Sequence, residues 1–286
     1  MALKRQILFL DVKHLIMSRN NFKNILTTLF SCSIMIKKVE GKQRKTRKDN
    51  NMEKKQIIVL DTETCNIRKT DEVLPGNNLT YNIGWEAVVP TTGEVLEERS
   101  YVVPEIFMGE WQKMQSAYYA DKIPQYWAGL ATGEYIMKPF FEIMVEIIKY
   151  CKNNNVVAIC AHNARFDIDA LNTTAEYLTG YRFRVLPGLE IWDSMKMARS
   201  VYNNRPSYKN FCAENGFMTK HKTPRCQLTA EVLYRFITQN VEFSEEHTAL
   251  EDVKIESEIV FACYRAHKKM DKVLFPRIMR ENYLDV

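Results

Sequence analysis

Residues 56–64 read QIIVLDTET, an apolar run that ends in two acids spaced two positions apart. The run Ile57–Leu60 is continuous and mostly β-branched, which predicts a strand buried on both faces of a sheet. Because side chains two positions apart in a strand point to the same face, Asp61 and Glu63 should present their carboxylates together. Such like charges repel unless a cation lies between them, and oxygen ligands favour Mg²⁺ or Mn²⁺. Taken alone, the pair more often marks a strand that leaves the core into a polar turn.

Further strands and helices follow along the chain. Strands are predicted at 81–89, 95–103, 156–161 and 189–192, with a turn at Pro90–Gly93. Helices are predicted at 106–119, 137–152, 163–178 and 248–268. A three-stranded meander followed by alternating strands and helices predicts an α/β fold, with a mixed five-stranded sheet flanked by helices.

The second acidic segment is His162–Asp167, directly after the predicted strand 156–161. Asn163 is a good helix N-cap, which predicts Asp167 in the first turn, where the helix dipole favours a carboxylate. Phe166 is compatible with the core or with a surface on which a base stacks. A single histidine such as His162 more often serves structure than ligation.

The third acidic segment is His247–Asp252, at the start of the last predicted helix. A spacing of five residues within one helix would place the two side chains on different faces. They can converge if His247 lies in the preceding loop and Asp252 in the second turn of the helix. Glu245 and Glu246 are interpreted as exposed first-turn acids.

Together these segments form one pattern: Asp61-x-Glu63, His162-Asn163-x-x-Phe166-Asp167 and His247-x-x-x-x-Asp252. In this order they resemble the three motifs of the DEDDh 3′→5′ exonucleases, a family within the ribonuclease H-like superfamily. The family includes the proofreading subunit of bacterial DNA polymerase III, ribonuclease T and oligoribonuclease. The resemblance covers about residues 52–268 and implies a ribonuclease H-like sheet. The stretch 245–258 resembles standalone phage-type exonucleases in particular.

The resemblance also implies a role for each matching residue. Asp61 would bridge two divalent cations, Mg²⁺ or Mn²⁺, Glu63 and Asp252 would complete the site of the first, and Asp167 would hold the second. His247 would be the general base that takes a proton from the attacking water. The residues implied as contacts of the substrate are Thr64, His162, Asn163 and Phe166.

Several positions depart from the family pattern or lie outside it. Cys65 stands where a small or hydroxyl residue is common, and Glu134 follows Thr132-Gly133 where an apolar residue is expected. The long segment 216–246 carries Lys220, His221, Lys222 and Arg225. It is compatible with a phosphate-contacting loop or with a solvated one. A cluster of aromatic residues comprises Trp111, Tyr118, Tyr119, Tyr126 and Trp127. We interpret most of them as helix core, and base stacking is the alternative.

The charge of the chain is unevenly distributed. Its 40 basic and 35 acidic residues give a net charge of +5, but residues 1–51 alone carry +9 and residues 52–286 carry −4. We therefore interpret 1–51 as a basic extension and 52–286 as the exonuclease domain. The extension is compatible with a phosphate-binding tail, with a dispensable segment, or with a gene start that lies at Met52.

The seven cysteines contain no CxxC pair, which favours a reducing compartment over a disulfide framework. The longest apolar-leaning run, 25–36, is too short to span a bilayer. We therefore predict a cytoplasmic protein with no membrane partner, in the host cytoplasm if it is phage-encoded.

The leading functional hypothesis is a 3′→5′ exonuclease that acts on single-stranded DNA ends and releases nucleoside monophosphates. The same chemistry on RNA, as in ribonuclease T or oligoribonuclease, is the alternative, since no residue decides how a 2′-OH is received. A hypothesis from a different functional class is a subunit that does not hydrolyse nucleic acid but binds it or docks a polymerase. A polymerase or replication partner is compatible with all three.

Overall fold

A computed structural model describes residues 54–65, 78–117, 119–182, 184–186 and 188–276. The basic extension 1–51 and Tyr118 lie outside these residues. The predicted division of the chain at residue 52 therefore stays a prediction.

Seven strands form one sheet in the described part of the chain. They are β1 (Gln56–Cys65), β2 (Leu79–Val89), β3 (Glu94–Val102), β4 (Ile136–Met137), β5 (Val156–Ala161), β6 (Glu190–Asp193) and β7 (Val273–Phe275). Their order in the sheet is β4-β3-β2-β1-β5-β6-β7. The meander β1-β2-β3 is antiparallel, and β5 and β6 continue the sheet parallel to β1.

The predicted α/β class and the mixed sheet flanked by helices are confirmed, but the count of five strands is wrong. The two further strands are β4, which pairs parallel with β3, and β7, which pairs antiparallel with β6. They are two and three residues long. Strands this short show no period of alternating hydrophobicity, so the sheet edges are not visible in the sequence pattern.

Helices cover both faces of the sheet. They are α1 (Pro104–Phe107), α2 (Trp111–Ser116), α3 (Ile123–Thr132), α4 (Phe140–Asn153), α5 (Arg165–Thr179), α6 (Ser194–Tyr202), α7 (Pro206–Glu214), α8 (Ala230–Thr238) and α9 (Ala249–Arg265), with a 3₁₀ turn at Ala120–Lys122. The prediction of a single helix at 106–119 is wrong, because two helices, α1 and α2, lie in this part of the chain. Gly109 lies between them, and a Cβ there would be 2.2 Å from the carbonyl oxygen of Glu105. None of the described helices combines the length and the hydrophobicity needed to cross a bilayer.

Alternate residues of β1 face two separate cores, as predicted for a strand buried on both sides. Ile58 and Leu60 pack in the core that includes α4 and α5, and Ile57 and Val59 pack in the core that includes α6 and α9. Asp61 and Glu63 continue the second series, so they point towards α9. Thr62, between them, points towards α5. The pleat of one strand thus decides which helix faces each residue of the acidic segment.

Candidate active site

Three carboxylates meet where β1 passes the start of α9. Ligand oxygens of Asp61, Glu63 and Asp252 all lie within 4.8 Å of one another. Glu63 is buried, and Asp61 and Asp252 are partly exposed. The same-face placement of Asp61 and Glu63, predicted from their spacing, is therefore observed, and α9 supplies the third acid.

Two residues of β2 allow α9 to approach β1 so closely. Gly84 pairs with Asp61 in the sheet, and a Cβ at Gly84 would lie 2.4 Å from the backbone carbon of Ala249, the first residue of α9. Asn82 accepts hydrogen bonds through Oδ1 from the backbone N–H of Ala249 (3.1 Å) and from Tyr126 (2.9 Å). The start of α9 is thus fixed against the sheet, which positions Asp252 beside Asp61.

Asp167 approaches the same strand from the other side. It lies in the first turn of α5, as predicted, and is buried. Its Oδ1 accepts hydrogen bonds from the hydroxyl (2.9 Å) and the backbone N–H (3.2 Å) of Thr62. The structure therefore brings three of the four predicted metal ligands into one cluster and ties the fourth to the residue between Asp61 and Glu63.

His247 lies in the loop before α9, a position from which it can converge with Asp252. Its backbone is left-handed, with φ at 55°. Its ring stacks on Tyr119 with centroids 4.6 Å apart, and its Nδ1 lies 3.8 Å from a carboxylate oxygen of Glu245. Ligand atoms of Glu245, His247 and Asp252 lie within 4.8 Å of one another. Asp252 is in the first turn of α9 and not in the predicted second turn, because the helix begins at Ala249.

The interpretation of Glu245 as an exposed first-turn acid is wrong. It precedes α9 in a loop, and its side chain is only 17% exposed. Burial raises its pKa to about 7, with a further contribution from the charge of Glu231. Nothing in the local sequence distinguishes it from its exposed neighbour Glu246, since the loop conformation alone turns it inward.

Glu256 is a second acid that the sequence analysis missed. It is buried, 3% exposed, and accepts a hydrogen bond from the backbone N–H of His162 at 3.1 Å. The available signal was its spacing, because Glu256 lies four residues after Asp252 and therefore on the same face of α9. It links α9 to the loop between β5 and α5, beneath the cluster.

The loop between β5 and α5 is held differently from the prediction. Asn163 is not the N-cap of α5, since the helix begins at Arg165 and Ala164 precedes it without a side-chain cap. Asn163 instead adopts a left-handed backbone (φ 61°), and its N–H donates to Asp193 at 3.2 Å. A short side chain such as asparagine tolerates this conformation.

His162 is partly buried beside this loop. Its Nε2 lies 2.7 Å from the carbonyl oxygen of Leu228, and its Nδ1 lies 2.8 Å from the hydroxyl of Ser194. Because a carbonyl only accepts, Nε2 carries the proton and Nδ1 accepts from Ser194. Burial lowers the pKa of His162, which favours this neutral form. Both ring nitrogens are thus engaged within the protein, so its contact with substrate stays a prediction.

The other predicted contact residues differ in exposure. Phe166 is 38% exposed, beside Asp167, whereas Thr64 and Cys65 are buried. Tyr126 is core, as first interpreted, and Trp127 is partly exposed against Phe107. Thr132 is the last residue of α3, and the short strand β4 is the next element after Thr132-Gly133.

The carboxylates of the cluster resist ionisation in the metal-free protein. Burial and mutual repulsion raise the pKa of Asp252 to about 8, and burial raises that of Asp167 to about 7. The pKa values of Asp61, Glu63 and Glu256 are also raised, first by burial and then by neighbouring acids. A buried oxygen of Asp252, Oδ1, has no hydrogen-bond partner in the described part of the chain. This donor set of hard oxygens with excess negative charge suits a divalent cation.

These pKa values predict how stability depends on pH. Since they lie above the unfolded values of about 4, the metal-free folded protein binds more protons than the unfolded chain between about pH 4 and 8. Its stability should therefore fall as the pH rises from 5 to 8.5. Each unit by which a folded-state pKa exceeds the unfolded value costs ~1.4 kcal/mol of stability at high pH, which lowers the melting temperature by about 3–6 °C in a domain of this size.

Thermal unfolding in chelator at pH 5, 7 and 8.5 checks this expectation. Adding Mg²⁺ or Mn²⁺ at pH 8.5 should restore the melting temperature, and Asp61→Asn should show a smaller pH dependence. A melting temperature that rises with pH in chelator would contradict the account of the cluster.

Comparisons with known proteins give weak similarities. No family model and no curated protein sequence matches the chain. A solved structure of exonuclease X in complex with 5′-overhanging duplex DNA is similar with a TM-score of 0.37 at 17% identity, over 73% of this chain and 91% of that chain. E. coli exonuclease I in complex with a dA16 oligonucleotide is similar with a TM-score of 0.42 at 14% identity, over 75% of this chain and 41% of that chain.

A zinc-bound complex of E. coli exonuclease I with single-stranded DNA has a TM-score of 0.41 at 13% identity, over 74% of this chain and 40% of that chain. The chain thus spans about two fifths of the length of exonuclease I.

Proposed function

We propose that the protein is a metal-dependent 3′→5′ exonuclease that releases nucleoside monophosphates from single-stranded DNA ends. The observation that carries the proposal is the convergence of Asp61, Glu63 and Asp252 within 4.8 Å, with His247 beside Asp252. These residues come from two distant segments of the chain, and the motif resemblance assigns all of them to one catalytic centre. The 3′→5′ direction rests on that resemblance.

The carboxylates are the residues that would hold two divalent cations. Asp61, Glu63 and Asp252 would hold the first, and Asp61 and Asp167 the second. When bound, such cations lower the pKa of a water, orient its attack and stabilise the leaving oxygen. The hydrogen bonds from Thr62 hold the Asp167 carboxyl group beside β1. The close contact between Gly84 and Ala249 holds Asp252 there from the other side.

His247 is the residue that we propose as the base for the proton of the attacking water. Burial and the charge of Lys122 lower the pKa of its imidazole, so the ring is neutral and able to accept a proton near pH 7. The stacking on Tyr119 limits the rotation of the ring. With 36% of the side chain exposed, a proton can pass from His247 to solvent after each turnover.

Phe166 is the surface on which we expect the terminal base to stack. Loss of base stacking costs about 1–3 kcal/mol, so Phe166→Ala should raise KM for a single-stranded oligonucleotide roughly 5- to 150-fold. The effect on turnover at saturating substrate should be small. Tyr181→Ala, which removes a 66%-exposed aromatic ring beyond the other end of α5, is the matched control. Equal KM values for the two variants would contradict the stacking role.

Matched DNA and RNA oligonucleotides of one sequence, each labelled at either end, test the proposed function. With Mg²⁺ or Mn²⁺ the protein should release labelled mononucleotide at once from 3′-labelled DNA and shorten 5′-labelled DNA stepwise. Chelator should stop both. Faster degradation of RNA would favour the exoribonuclease alternative. No release from either polymer with either metal would favour a non-hydrolytic subunit and reject the proposal.

A further inference from the structure

The segment between α7 and α8 is an ordered hairpin, which we call the basic hairpin (residues 217–227). Met218 and Cys226 form an antiparallel bridge. The backbone N–H of Gln227 donates to Phe217 at 3.0 Å, and that of Thr219 donates to Arg225 at 2.8 Å. The long segment 216–246 therefore begins with a structured projection.

The base of the basic hairpin is anchored in the core. Cys226 is buried, and the fully buried Tyr208 donates its hydroxyl hydrogen bond to the carbonyl of Gln227 at 2.6 Å. Phe217 packs on Phe211 with ring centroids 5.6 Å apart. A base held at three points gives the tip a defined direction, which an independent solvated loop would lack.

The basic hairpin adjoins the candidate active site. Leu228, the residue after the hairpin, accepts the hydrogen bond from His162 at 2.7 Å. His162 begins the loop that leads into α5, and the first turn of α5 carries Phe166 and Asp167. At about 3.3 Å per residue, the six residues from Leu228 back to Lys222 place the tip within about 20 Å of His162.

The tip carries the opposite charge to the site. Lys220, Lys222 and Arg225 are exposed, and no acid lies between Glu214 and Glu231 in the chain. Within the residues that the structure describes, none of these three cations forms an ion pair. Three cations on a projection whose base is anchored near an acidic centre match a chain of phosphates that ends in that centre.

We propose that the basic hairpin binds backbone phosphates of the substrate strand, a few nucleotides to the 5′ side of the bond that is cut. This proposal rests on the proposed function only for the position of the 3′ end of the strand, which lies at the carboxylate cluster. The contact is to phosphate and is therefore independent of sequence. The hairpin tracks long substrates and leaves the chemistry at the terminus unchanged.

The test compares Lys220→Gln/Lys222→Gln/Arg225→Gln with wild type and with a matched triple variant, Lys55→Gln/Lys149→Gln/Lys152→Gln. The control removes three exposed lysines at the opposite end of β1 from Asp61 and on α4. Binding of a fluorescent single-stranded 15-mer is measured in chelator at several salt concentrations, so that no cleavage is needed. The substitutions are on the exposed tip, and equal melting temperatures verify that each variant folds.

The hairpin variant should bind the 15-mer at least about tenfold more weakly, and the slope of log K against log salt should fall by about 2, or 0.7 per phosphate contact. With metal, its KM for the 15-mer should rise while turnover of a dinucleotide stays at the wild-type rate. The control should change neither quantity.

Affinity and salt slope equal to those of wild type would overturn the proposal, and so would a wild-type protein that does not bind the 15-mer. If the hairpin variant binds the 15-mer more weakly but the wild-type protein degrades no nucleic acid, the hairpin proposal is supported and the exonuclease proposal is rejected. The failures of the two proposals are therefore distinguishable.

Discussion

Asp61→Asn should slow mononucleotide release by at least about 10³-fold, the upper end of what loss of one electrostatic contact costs. Asp61 lies in the carboxylate cluster with Glu63 and Asp252 and is the residue expected to contact both cations. Asparagine keeps the shape of the side chain but removes its charge. Single-turnover release from a 3′-labelled oligonucleotide at saturating metal measures the effect.

The variant should fold at least as stably as wild type in chelator, because it removes one member of a mutually repelling group. Asp169→Asn is the matched control, since Asp169 is an exposed acid on α5 two residues from Asp167. Its release rate should stay within about twofold of wild type, as expected of a surface substitution. Substantial activity of Asp61→Asn would show that the cluster is not the catalytic centre.

His247→Asn should lower turnover by about 10²–10⁴-fold, the usual contribution of a general base. Asparagine is the suitable replacement because residue 247 has φ at 55°, a left-handed backbone that this side chain tolerates. The wild-type rate should decrease below the pKa of His247, where the imidazole is protonated and cannot accept a proton. The variant should lose this part of the pH profile, which separates loss of a base from a general structural defect.

His267→Asn is the control for this substitution. His267 also has a positive φ (48°) and is exposed, but it follows the opposite end of α9. Its rate and pH profile should match those of wild type. A His247→Asn enzyme with unchanged turnover and an unchanged pH profile would rule out His247 as the base.

Much of the fold follows from β1 alone. The continuous run Ile57–Leu60 predicted a strand buried on both faces, and all four residues are fully buried in two different cores. The pleat then placed Asp61 and Glu63 on one face. Local pattern was sufficient here because strand period, burial and side-chain direction depend on the same backbone geometry.

Most of the features that the sequence did not predict depend on contacts between residues that are far apart in the chain. Gly84 matters because Ala249, 165 positions later, packs against it, and no local pattern carries that information. Glu245 turns inward because of a loop conformation, and β7 is too short to show a period. Glu256 could have been found from its i, i+4 spacing after Asp252. Asn163 was assigned as an N-cap from its residue type, but its left-handed backbone directs its N–H to Asp193.

Crystals soaked in Mn²⁺ and measured at the manganese absorption edge test the central claim most directly. The account predicts one anomalous peak bounded by Asp61, Glu63 and Asp252, and a second about 4 Å away towards Asp167 when a nucleotide is bound. The soaked Asp61→Asn variant should show neither. A wild-type crystal with no manganese between Asp61 and Asp252, in a medium that supports nucleotide release, would contradict it.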